Sequence, residues 1–462
     1  AILMAVVCAP TVFLQPARAV QTPGWSATVP VTPQVMADKG RREVRDPEIF
    51  VGEDKIIHLV YQESGIYYIR SEDRGRSWSD PRLVSSDRLV NKVPTVSADE
   101  DGIHIVWVSL DVGKEDSYYR LFYTNSKDNG RTWSEPSKVN DTETHSFRPK
   151  LLHSNTGAVV IWYDLDEKQL AHKKSLTTDI LNDIMDNPMK GTVRREYEQV
   201  LRSTVMFTRL SRENRTWGTT SIVSEELVPL DIFVPYQISD NAFGVYWSAD
   251  RKIKNMVSMD AGVTWQIDYT LPTHLHAFTL NEVVYSPDGI LLIGVPQKPF
   301  QALQIRLYDT KARKEAFLTP QKFFRSPPKA IYGGGDIHVV WAVSDQMNSW
   351  LAYKRTDKEP PKTRILSPTD PEIRTPEISA AWEGDDDIPF DLTYSFSKDY
   401  EARSWTDFGA ERSVTFASPP DGEYVFKVRA QDAAGNIEQL QIVGVALSGK
   451  EATLERALVV GG

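Results

Sequence analysis

Two arginines stand just upstream of prolines, Arg45 in Arg45-Asp46-Pro47 and Arg148 in Arg148-Pro149. A guanidinium offers a planar two-donor fork that matches a carboxylate. That carboxylate can belong to a ligand or to a neighbouring acid of the chain. A second group gathers where short apolar runs end: Glu63, Asp111, Tyr163, Asp164 and Asp250. A ring of acids and aromatics suits polyol binding, and a pair of carboxylates suits glycosidic acid/base work. Acids are also common at loop tips, so each one alone reads first as a solvated turn. Glu63 and Asp164 are the candidate acids. Arg45, Asp46, Arg148, Tyr163, Asp111 and Asp250 are the candidate ligand contacts.

Such residues need a frame, and the frame is repetitive. Lys55 to Tyr61, Gly102 to Trp107 and Asp336 to Trp341 share an Ile/Val-His-rich pattern, with weaker copies at Ala158 to Trp162, Phe243 to Trp247 and Gly289 to Ile293. These short β-branched runs read as strands. Each follows another short strand, as Pro47 to Val51 precedes the first. Most are followed by a third, such as Ile66 to Arg70 or Leu121 to Asn125. His58, His104 and His338 hold one slot in three repeats, so they cannot meet at one metal and read as structural.

A turn pattern closes the unit. Ser71 to Trp78, Ser126 to Trp133 and Ser258 to Trp265 all spell Ser-x-Asp-x-Gly-x-Ser/Thr-Trp, and Ser211 to Trp217 is a worn copy without the glycine. The Asp accepts hydrogen bonds from turn amides, the Gly takes a positive φ, and the Trp covers the sheet below. Four antiparallel strands repeated six times predict a six-bladed β-propeller. Blade three carries a long insertion, about Leu165 to Ser203, with a helix expected over Arg194 to Leu201. It follows a second strand, which places it on the face opposite the Asp turns, where a wall or lid is expected.

The chain has 462 residues, 41% hydrophobic and 25% charged, with a formal net charge of -10. That acidity argues against a nucleic-acid backbone as partner. Residues 1–19 form an apolar run ending in Ala17-Arg18-Ala19, which reads as a signal peptide and implies a secreted, periplasmic or cell-surface protein. No later stretch is apolar enough to span a membrane. Cys8 is the single cysteine and lies in that leader, so disulfides and Cys-bound metals are not expected. Val20 to Lys39 reads as an extended lead-in, and the propeller is expected over 41–358. Asp357 to Pro361 reads as a linker. A small β-sandwich is expected over 363–447, from strand signals at Glu377 to Trp382, Leu392 to Phe396, Ser413 to Phe416 and Gly422 to Ala430.

The Ser-x-Asp-x-Gly-x-Thr-Trp turns resemble the Asp boxes, or bacterial neuraminidase repeats, of the sialidase superfamily. The resemblance covers roughly Arg41 to Ile365. It implies a six-bladed propeller in which Asp73, Asp128 and Asp260 are structural and lie on the face away from the substrate funnel. Arg45-Asp46-Pro47 resembles the family's Arg-x-Pro signature, whose arginine binds the sialic acid carboxylate. The rest of the family's catalytic set is only partly present. The loop after the second strand of blade one is short, with Glu63 its sole acid, and the first strand of blade five opens with His274 and His276 where an arginine is expected. Gly422 to Asn436 resembles a fibronectin-III-like module.

Three functions therefore stand. The first is glycan or glycoconjugate recognition with an incomplete catalytic set. The second is a glycoside hydrolase using Glu63 or Asp164 as acid and Arg45 as anchor. The third is a scaffold that binds another protein, for example at a cell surface. No metal and no cofactor is expected for any of them.

Overall fold

The computed structural model describes residues 24–33, 35–36, 43–52, 54–85, 90–110, 118–166, 202–213, 215–226, 230–249, 252–269, 278–296, 305–319, 326–344, 348–367, 377–388, 392–397, 404–417 and 426–439. The 1–19 leader, nearly all of the blade-three insertion, Asp111 and Asp250 lie outside them.

Six antiparallel sheets follow one another along the chain. Blade one is Arg45–Val51, Ile57–Gln62, Ile66–Ser71 and Arg82–Leu83. Blade two runs from Asn91–Asp99 through Gly102–Leu110 and Tyr119–Ser126 to Ser137–Lys138. Blade three is His145–Leu152, Val159–Asp166, Arg202–Arg209 and Ser221–Glu226. Blade four is Leu230–Ser239, Ala242–Ala249, Lys252–Ser258 and Gln266–Ile267, and blade five is Phe278–Ser286, Gly289–Pro296, Arg306–Asp309 and Lys314–Phe317. Blade six joins Lys329–Gly333, Asp336–Ser344 and Asn348–Arg355 to the N-terminal strands Val29–Pro30 and Val35–Met36. The first strands neighbour each other in chain order, and that of blade six packs against that of blade one. The fold is a six-bladed all-β propeller.

The lead-in is more than a lead-in. Val29 pairs with Tyr353 and Val35 with Ser349, so the segment before residue 41 supplies the outer strands of the last blade. Its prolines hid this from sequence reading, since proline is tolerated on an edge strand.

The Asp turns fasten one blade to the next. In each full copy the Ser hydroxyl donates to the Asp and accepts from the Gly amide, and the Ser/Thr amide donates to the same Asp oxygen, all at 2.8 Å. Gly130 has φ 79°, and a Cβ there would sit 2.3 Å from the Tyr68 ring of the preceding blade. Trp133 meets the same ring edge-on at 5.1 Å. The worn copy still works this way, with Trp217 edge-on to Tyr123 at 5.3 Å. Under each tyrosine lies a histidine of its own blade: His58 with Tyr68 at 2.8 Å, His104 with Tyr123 at 2.8 Å, and His338 with Tyr353 at 2.7 Å. Blade three has Phe207 and Val159 in these two registers, so the hydroxyl and its partner are absent together.

After blade six, the sheet of Lys362–Ser367, Glu377–Asp385 and Ser413–Ala417 and the pair Thr393–Ser397 and Lys427–Gln431 share a core of Trp382, Tyr394, Phe426 and Val428. This is the small β-sandwich. Among the described residues no helix is long and apolar enough to cross a membrane.

Candidate functional site

Strand register sorts the candidate residues by face. In blade one, Val51 lies opposite Ile57 and Ile57 opposite Ser71, where the Asp turn begins; at the other end Arg45 lies opposite Gln62. Arg45 and Glu63 therefore share the face away from the Asp turns, the funnel face. In blade three Ser146 and Phe147 lie opposite Asp164 and Tyr163 on that same face. The insertion also leaves from it, since its roots Leu165 and Ser203 pair with each other there.

A repeated bulge sets this end of the first strands. Asp46, Val93 and Arg148 each have φ 47°, each precedes a proline, and each sits where the register shifts by a residue. A positive φ at a valine is uncommon, and bulges re-aim side chains near sites. The bulge also corrects the sequence alignment of the two arginines. Arg148 is the bulge residue and matches Asp46. The counterpart of Arg45 is Phe147 in blade three and Lys92 in blade two, opposite Val108. Lys92-Val93-Pro94 has the same cation-x-Pro spacing as Arg45-Asp46-Pro47, a signal that sequence reasoning passed over.

Arg45 has a side chain 22% exposed and holds Glu43 at 2.9 Å. The Asp46 amide donates to Ser326 Oγ at 2.9 Å, tying blade one to the chain entering blade six. Arg148 is half-buried, and its charge opposes that of Lys329 nearby. Glu63 is half-buried, its amide donating to the Gly65 carbonyl at 2.9 Å across a tight loop.

Asp164 and Tyr163 are more deeply set. Asp164 is 4% exposed. It accepts from Ser146 Oγ at 2.7 Å, Trp162 Nε1 at 2.7 Å, Thr144 Oγ1 at 2.9 Å and Thr142 Oγ1 at 3.5 Å. Burial raises its pKa above the ordinary carboxylate value, against the pull of these donors. Trp247 Nε1 finds Glu226 at 3.0 Å and Trp107 Nε1 finds Asn91 at 2.9 Å in the neighbouring blades, so Asp164 fills a recurring indole-acceptor slot. Tyr163 is buried, its ring stacked on Phe147 at 5.7 Å and edge-on to Phe233 at 5.1 Å. Asp73, Asp128 and Asp260 lie on the opposite face in their turns, and the hydrogen bonds from Thr264 hold Asp260 down to about 2.

The axis between the faces is closed by charge. Glu48, Lys150, Glu282 and Lys329 occupy one register on four first strands. Lys150 Nζ lies 2.8 Å from Glu48 and 3.3 Å from Glu282, while Lys329 Nζ lies 2.7 Å from Glu282 and 3.6 Å from Glu48. Burial pushes Glu48 up, but Lys150 and Lys329 outweigh it and bring it below its ordinary value. Sequence reasoning missed this quartet, because only the ring geometry brings four distant strands together. A cavity of about 650 Å³ lies on the Asp-turn side, lined by Asp54, His58, Asn129, Lys150, Tyr236 and Glu282 among others. Arg45, Glu63, Arg148, Tyr163 and Asp164 are not among its lining residues.

No protein-family model matches the sequence, and no curated protein matches it. Among solved structures, a Hadza microbial sialidase superposes with a TM-score of 0.45 at 12% identity, covering 68% of this chain and 65% of its own. The Trypanosoma rangeli sialidase in complex with the inhibitor DANA gives 0.46 at 12% identity, covering 72% and 60%. The NanB sialidase from Streptococcus pneumoniae gives 0.44 at 9% identity, covering 71% of each chain. The chain thus spans less than two thirds of the length of the first two. At these values the likeness adds nothing to the fold read from the sheets themselves.

Proposed function

We propose that the protein binds acidic glycans on its funnel face, with Arg45 as the carboxylate anchor. The observation that carries this reading is the in-register pair of cations, Arg45 and Lys92. Each stands two residues before a proline on neighbouring first strands, at the end away from the Asp turns. Arg148 adds a third positive charge at the same end, one residue deeper. A sugar carboxylate has a planar partner in Arg45, and the resemblance of Arg45-Asp46-Pro47 to the sialidase signature supports sialic acid as the ligand class. Glu43 holds the guanidinium oriented in the free protein.

Hydrolysis is the second reading, and Glu63 favours it over Asp164 as the acid. Asp164 already accepts four hydrogen bonds and is buried, whereas Glu63 is half-buried beside the cross-strand partner of Arg45. The insertion of blade three is rooted on this face, Leu165 pairing with Ser203. The scaffold reading rests on a different surface. Blade four exposes Met259 and Val263 in its Asp turn and Ile267 and Tyr269 on and just after its outer strand. Its distinguishing result is a protein partner whose binding survives Arg45→Ala and falls with Tyr269→Ser.

The test is a panel of sialylated, uronic and neutral glycans offered to the wild type and to Arg45→Ala, with a fluorogenic sialoside added to read turnover. Retention of acidic glycans that disappears in Arg45→Ala supports recognition. Turnover lost in Glu63→Gln adds hydrolysis. Retention independent of glycan charge and of Arg45 overturns the reading.

A further inference from the structure

A cluster of three buried carboxylates lies where the last blade meets the β-sandwich. Asp357 follows the final strand of the propeller, Asp386 follows Glu377–Asp385, and Asp432 follows Lys427–Gln431. They are 2%, 8% and 2% exposed. One oxygen of each lies within 4.8 Å of one oxygen of the others.

Carboxylates so close and so buried repel one another, and burying an unpaired charge costs several kcal/mol, on the order of the whole stability of a domain. The cations at hand are already engaged. Arg355, fully buried, reaches Asp336 at 3.0 Å and also binds Asp387; it stays 3.9 Å from Asp357. Arg74 is held by Asp336 at 2.8 Å and Glu359 at 2.7 Å. Asp386 Oδ2 is buried and accepts no hydrogen bond among the described residues. A well-paired acidic core does not leave such an oxygen orphaned.

We propose that this cluster is a binding site for a divalent cation of the calcium type, with Asp357, Asp386 and Asp432 as its carboxylate ligands. The donor set is all oxygen, as a hard cation prefers. The spacing suits it, because two oxygens across a calcium ion bound at about 2.4 Å are about 4.8 Å apart. The surroundings are built to hold the ligands in place. Asn436 Nδ2 donates to Asp432 Oδ2 at 2.8 Å, to the Asp357 carbonyl at 3.1 Å and to the Glu359 carbonyl at 3.3 Å. The Asp357 amide donates to the Gly24 carbonyl at 3.0 Å, and the Gly24 amide to the Ala434 carbonyl at 2.8 Å. The ion therefore clamps the sandwich to the last blade and to the N-terminal strand. The expectation of no metal came from the histidines and the single cysteine, which are elsewhere in the chain.

The experiment uses the full chain, stripped with EDTA and desalted. Calcium and magnesium chlorides are titrated by calorimetry, and thermal unfolding is followed with and without saturating calcium. One calcium per chain is expected, with the unfolding midpoint raised by roughly 3 °C or more. Asp386→Asn is expected to weaken calcium binding at least about tenfold while melting no lower than the stripped wild type, since it removes a repelled charge. Asp357→Asn gives a second reading of the same loss if Asp386→Asn does not fold. Absence of calcium heat and of any midpoint shift in the wild type overturns the proposal. So does calcium binding to a folded Asp386→Asn or Asp357→Asn equal to that of the wild type.

Discussion

Trp78 of blade one lies edge-on to Tyr353 of blade six, ring centroids 5.4 Å apart. The Asp turn of the first blade thereby grips the last, as Trp133 grips Tyr68 and Trp265 grips Phe207 between other neighbours. The motif joins blades through a glycine that lets the ring approach. Gly75 has φ 92°, and a Cβ there would lie 2.3 Å from the Tyr353 ring. Gly75→Ala combines backbone strain with a clash, and a loss of about 2–4 kcal/mol is expected in denaturant unfolding. Gly335, with φ 98° and nothing near its Cβ position, is the control. Gly335→Ala carries the strain alone, about 1 kcal/mol.

The histidines beneath these rings make the fold acid-sensitive. Burial lowers both His58 and His338 from the ordinary 6.5 to about 4. The unfolded chain therefore takes up these protons first. The contribution of these two histidines is full above pH 6.5 and falls as pH drops from 6.5 towards 4, by up to about 3 kcal/mol for each. Thermal midpoints measured across pH 8 to 4 check this. The double change His58→Val with Tyr68→Phe copies blade three, where Val159 and Phe207 stand, and is expected to flatten the acid slope.

The axial quartet predicts a large, asymmetric response to charge removal. Lys150→Met leaves Glu48 and Glu282 facing each other with only Lys329 between them, and about 3–5 kcal/mol of stability is expected to be lost. Lys150→Met combined with Glu48→Leu is expected to recover part of it. A double-mutant cycle by urea unfolding measures the coupling.

Asp164 and Glu63 are expected to separate. Asp164→Asn puts an amide N–H donor where a carboxylate oxygen accepts from Ser146, Trp162 or Thr144, leaving donor facing donor, so the midpoint falls by the equivalent of about 1–3 kcal/mol. Glu63→Gln is expected to leave the midpoint within error and to alter only the handling of glycans. Paired thermal melts and binding curves for the two variants show whether the roles divide this way.

What the sequence disclosed was local. A turn such as Ser126 to Trp133 carries its own hydrogen bonds, so its structure could be read from spacing, and its face followed from strand order. The histidines' structural role was readable from the repeat, since His58, His104 and His338 hold one slot in three blades and cannot meet at one site. The bulge was not, since only pairing shows that Arg148 matches Asp46 and that Lys92 matches Arg45. Glu48, Lys150, Glu282 and Lys329 are scattered over some 280 residues and meet only because the first strands ring one axis. Asp357, Asp386 and Asp432 were equally hidden, coming from three segments of which only the Asp432 turn had a visible pattern.

Arg45 is proposed to anchor an acidic sugar on the funnel face. Isothermal titration of sialyllactose into the wild type and Arg45→Ala tests it most directly. Saturable binding to the wild type is expected, with at least about tenfold weaker binding to Arg45→Ala, the loss of one charge-assisted contact, and an unchanged unfolding midpoint. Equal affinity in the two proteins, or no binding to the wild type, would contradict it.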